Sequence, residues 1–153
     1  MKLTREQKKR IRKYNNDIYP LNLYVMRISD EELAMNYFDF YNSVEDMGNE
    51  ESRDRFKIND HSALTILCRE SSGPRGVLIM LPDFKDWSYS EIVDTITHES
   101  GHATTAFCDY LGMRPPTYDG GDEHFTYLLG WIAGCVANAY ITFKQEDDET
   151  DTK

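Results

Sequence analysis

The apolar positions of this chain recur at two periods, and each period marks a different element. Residues 21–28 (Leu-Asn-Leu-Tyr-Val-Met-Arg-Ile) alternate and are rich in β-formers, which predicts a strand. Ser29 followed by Glu32 is a capping-box pattern that opens a helix through about Tyr41. Leu33, Ala34, Tyr37, Phe38 and Tyr41 fall on one face of that helix and turn to the core. Residues 44–55 are polar and read as a loop. Residues 63–69 form a second strand, 70–75 a turn containing Ser-Ser-Gly-Pro, and 76–81 a third strand ended by Pro82. The second and third strands predict a hairpin leading into the longest helical pattern of the chain.

That pattern starts with another capping box, Ser88 with Glu91, so a helix begins at about Tyr89. Ile92, Val93, Ile96, Ala103, Phe107 and Leu111 give it an apolar face. Gly112 is a natural stop, and Pro115 and Pro116 forbid easy continuation. A last helix runs from about Glu123 to Lys144, with Phe125, Leu128, Leu129, Ile132, Val136 and Tyr140 as its apolar stripe. Small residues at Gly130, Ala133, Gly134 and Ala137 favour close approach to the preceding helix. The expected architecture is α+β: a small, mostly antiparallel sheet packed against these two helices, with an N-terminal strand and helix added.

The first long helix carries Thr97-His98-Glu99-Ser100-Gly101-His102-Ala103, which reads H-E-x-x-H. Residues four apart on a helix share a face, so His98 and His102 point the same way and can bind one Zn²⁺. Glu99 is placed to act as a base beside them without serving as a ligand. Zinc chemistry needs neutral nitrogen ligands, an open coordination position and a base. A catalytic zinc site usually has a third protein ligand, expected from the element that follows. Asp122-Glu123-His124 opens the next helix, which would return antiparallel and bring this turn back beside the motif. Glu123 is the first choice, His124 the second and Asp122 the third.

With these residues in hand, the chain resembles the gluzincin type of zincin metallopeptidase, in which H-E-x-x-H is followed by a glutamate on a downstream helix. It looks closest to minimal zincin-like domains, phage-encoded ones among them, in which H-E-x-G-H-A precedes an acidic pair and F-x-Y-L-x-G. Here those runs are residues 98–103 and 122–130, and the resemblance covers about residues 60–145. It implies a zinc-dependent peptidase that hydrolyses peptide bonds of a peptide or protein substrate. His98, His102 and Glu123 would be the metal ligands and Glu99 the catalytic base. It also implies a substrate strand added to an exposed sheet edge. Larger gluzincins often carry an aspartate four residues after the third ligand; that position is Tyr127, one helical turn on, which could instead donate a hydrogen bond to a ligand or to the oxyanion. The alternative is a non-catalytic zincin-fold structural or interaction protein, such as a phage virion or regulatory component.

Charge and cysteine content narrow the remaining classes. Residues 1–13 carry seven basic side chains against Glu6, a net of +6 in a chain of −10, so the remainder is −16. A basic arm (residues 1–20) therefore precedes a single domain (21–144) and an acidic, disordered tail (145–153). The acidic body argues against nucleic acid as the partner of the domain, leaving only the arm as a candidate. Cys68, Cys108 and Cys135 are an odd set without C-x-x-C spacing and read as buried hydrophobes in a reducing compartment. No apolar run approaches the ~20 residues that span a bilayer, and no signal sequence is seen, so a cytoplasmic protein is expected, or a virion-associated one if phage-encoded. His61 reads as a surface residue.

Overall fold

The computed structural model describes residues 3–47, 49, 63–71, 73–114, 117 and 122–151. His61, most of the 44–55 loop and most of the 114–121 turn lie outside these residues. The fold is α+β, built on a five-stranded sheet of order β1-β2-β5-β4-β3. The strands are β1 (Arg12–Asn15), β2 (Asn22–Arg27), β3 (Phe38–Tyr41), β4 (Leu64–Glu70) and β5 (Arg75–Leu81). All neighbours are antiparallel except β2 and β5, which pair in parallel from Asn22↔Gly76 to Arg27↔Leu81. The helices are α1 (Arg5–Arg10), α2 (Glu31–Tyr37), α3 (Tyr89–Tyr110) and α4 (Glu123–Asp151).

Side chains alternate across a strand, so the central strands feed two cores. Leu23, Val25, Val77 and Ile79 are fully buried on the face covered by α3 and α4. Tyr24, Met26, Leu78 and Met80 point the other way, where Leu33 and Ala34 of α2 cover them. The central strands are thus buried on both faces, and the N-terminal elements supply the second layer.

Three expectations change. Residues 38–41 form strand β3, not the end of a helix. Phe38 and Phe40 alternate into the second core and pair with Glu70 and Cys68, so tertiary pairing overrides the helical spacing. The basic arm is not separate, because β1 is the first strand of the sheet. A capping box, Thr4 with Gln7, starts α1. The acidic stretch is helical through Asp151. Glu146 pairs with Arg12 and Arg27, and Asp147 with Arg27. Those two guanidiniums also stack over Phe143, and Arg27 Nη2 donates to the Phe143 carbonyl at 2.6 Å. Cations are thereby supplied where the helix macrodipole is negative and its own side chains are acidic.

Helix α4 is also long and apolar enough, by length and composition alone, to cross a membrane, which the run-length reading had not expected. One stripe of it, Leu128, Ile132, Val136, Ala139 and Phe143, is buried in the first core.

Candidate metal centre

Helix α3 starts as the sequence predicts. Ser88 Oγ accepts from the Glu91 backbone N–H, and Glu91 accepts in return from the Ser88 N–H. The turn before it is pinned by Phe84, whose ring meets Trp87 and Tyr140 edge-on at 5.1 and 5.0 Å. Its end is set by Gly112, at φ 62°. Between these stops the helix buries Ile92, Ile96, Ala103 and Phe107 against the sheet. Val93, expected on this face, is 43 % exposed instead. Ser100 and Thr104 are buried because each hydroxyl donates to the carbonyl one turn back, at 2.6 and 2.7 Å.

The motif sits at the border of this buried face. His98 and His102 are exposed to a groove of about 960 Å³ between α3 and the sheet, and their Nε2 atoms approach to 3.1 Å. At that distance one imidazole can donate to the other, and the spacing is also close to the roughly 3.3 Å between two nitrogens on one tetrahedral zinc at about 2.0–2.1 Å. Glu99 is one helical turn from Ala103, which draws it toward the core, and it is only 6 % exposed while still lining the groove. A buried carboxylate needs a partner. Thr65 supplies it, with Oγ1 donating to Glu99 Oε2 at 2.6 Å and lying 3.1 Å from the Glu99 carbonyl.

Thr65 escaped the sequence reading. Its signal is parity: on β4 it shares a face with Leu67, whose side chain packs into the core under α3 and α4. β3 covers β4 only from Leu67 to Glu70, while Leu64, Thr65 and Ile66 pair with β5 on one side and, among the described residues, with no strand on the other.

The remaining predicted residues are not gathered. Among the described residues, no three His, Cys, Asp or Glu side chains form a group able to hold an ion. Glu123 is the exposed first residue of α4 and does not line the groove; Phe125, two residues on, does. Asp122 does not line it either. His124 Nε2 is buried with no hydrogen-bond partner among the described residues. Tyr127 is 75 % exposed and, like Glu123, lies outside the groove lining. Cys108 lines the groove, but burial pushes its thiol up, away from the thiolate a metal would need. No protein-family model, curated protein or solved structure matches the chain.

Proposed function

We propose that this chain is a zinc-dependent peptidase of the kind its motif resembles. The observation that supports this most is one constellation. Two imidazole nitrogens lie 3.1 Å apart beside a buried carboxylate, in a groove walled in part by a stretch of β4 that, among the described residues, pairs with no second strand. His98 and His102 would hold the ion, with Glu123 of the following helix completing the set. When bound, zinc would supply Lewis-acid polarisation of a carbonyl and lower the pKa of a water. Glu99 would take the proton from the attacking water and hand it to the leaving amine nitrogen. A peptide in extended form would add beside Leu64, Thr65 and Ile66, its backbone hydrogen-bonding where β3 has ended. The groove would then shield the reacting bond between β4 and α3.

The test is hydrolysis of a peptide library by protein purified without chelator, with one zinc expected per chain. Glu99→Gln should abolish turnover and keep the metal, whereas His98→Ala with His102→Ala should lose both. Full zinc content in that double variant would remove the metal assignment. One observation favours a second reading, a zincin-fold structural or interaction protein without turnover: the third ligand is not beside the histidines among the described residues. A zinc-loaded wild type that cleaves no library peptide supports that reading.

A further inference from the structure

We infer that Thr65 is a positioning residue for Glu99, and that it acts from within the strand edge proposed to receive the substrate. The inference rests on the peptidase reading for its functional half. Its structural half rests on a hydrogen bond and on strand parity. Thr65 Oγ1 donates to Glu99 Oε2 at 2.6 Å and also lies 3.1 Å from the Glu99 main-chain oxygen. The single hydroxyl proton goes to the nearer acceptor, the carboxylate, and the main-chain oxygen lies within contact distance of the same hydroxyl.

A carboxylate on a long side chain has three rotatable bonds between backbone and oxygens. In water it samples many rotamers, and a base must hold one of them. Glu99 is 6 % exposed, so water satisfies little of its hydrogen-bonding demand. Fixing Oε2 on Thr65 leaves Oε1 as the oxygen available to a reacting water. The anchor itself is rigid. β4 is paired to β5 at Thr65↔Ile79, and Ile79 is fully buried. On its other side, the same short segment of β4 lies open beside the groove, among the described residues. A strand added there would lie against Leu64, Thr65 and Ile66, directly beside the hydroxyl that aims the carboxylate. Substrate docking and base orientation therefore meet in one side chain.

The experiment compares Thr65→Val, which keeps the shape and loses the hydroxyl, with Thr65→Ser, which restores it. Thr65→Ala replaces the valine variant should that fail to fold. In zinc-loaded protein the hydroxyl-free variant should lose about 10–100-fold in kcat with KM and zinc content retained, and Thr65→Ser should recover most of the loss. In zinc-free, full-length protein labelled with ¹³C at glutamate carboxyls, the Glu99 resonance is identified by its loss in Glu99→Gln. It should shift in Thr65→Val and return in Thr65→Ser. An unchanged Glu99 resonance, or a valine variant with wild-type kcat, overturns the inference. A wild type that binds zinc and hydrolyses nothing overturns the peptidase reading instead, and the carboxyl resonance then decides whether Thr65 holds Glu99.

Discussion

A single helical turn separates the residues that belong to the groove from those that belong to the core. His98 and His102 are exposed, while Glu99 between them is buried, because a 100° step per residue carries it to the side of Ala103. Zinc affinity should therefore respond to the histidines and be little changed by Glu99→Gln, as read by competition with a chromophoric chelator. The same experiment ranks the third ligand. Glu123→Ala should weaken zinc by orders of magnitude, Asp122→Ala should change it little, and His124→Ala should leave the metal bound. Affinity that follows His124, whose buried Nε2 has no partner among the described residues, would make the site a three-histidine one. Tyr127, three-quarters exposed, should be dispensable: Tyr127→Phe is expected to keep kcat and KM within about twofold, the range of an ordinary surface substitution.

Elements were most legible where local signals and tertiary packing agree. The capping box at Ser88, the helical spacing after it and the glycine stop at Gly112 all describe α3 as it is found. The hairpin of β4 and β5 is also as expected. Leu33, Ala34, Tyr37, Phe38 and Tyr41 satisfy a helical period that runs on into β3, and only pairing with β4 makes residues 38–41 a strand. The continuous apolar run at 77–81 marks a strand buried on both faces, but the pairing partner of β5 and its parallel sense cannot be read from either strand. The pair of histidines was plain in the sequence, whereas Thr65 depends on which strand packs under α3.

At the end of β4, Glu70 Oε1 accepts from Tyr24 at 2.6 Å and from Lys13 at 2.7 Å. Burial opposes ionisation there, but hydrogen bonds from Lys13, Tyr24 and Tyr37 outweigh it and hold the Glu70 carboxyl below its ordinary value. Its contribution to stability is thus complete above the usual carboxylate pKa and is lost as pH falls through the lowered one. Glu70→Gln should flatten the acid limb of the urea midpoint below about pH 4–5. Nearby, a Cβ at Gly76 would lie 2.5 Å from both the Asn22 carbonyl and the Tyr24 ring. Gly76→Ala is expected to cost about 1–3 kcal/mol in thermal unfolding.

Across the whole molecule, the positive first residues and the negative last ones meet. Arg12 reaches Glu146, Arg10 reaches Asp30, and Lys13 reaches Glu70, so much of the basic charge that singled out the arm is engaged internally. Salt-sensitive binding to duplex DNA should therefore be absent at micromolar protein, which fluorescence anisotropy across a salt series can check. Deleting residues 1–15 should remove an edge strand and the Arg12 contact, and lower the melting temperature rather than alter any affinity for DNA. The parallel pairing of β2 with β5 has a consequence in time. Asn22 cannot meet Gly76 until the chain between them has been gathered in, and an antiparallel hairpin faces no such delay. The two most apolar strands must wait exposed while that closure is attempted, which makes the unfolded chain prone to self-association on refolding. Stopped-flow traces should then assign Val25→Ala and Ile79→Ala mainly to slower folding, and truncations in α4 mainly to faster unfolding.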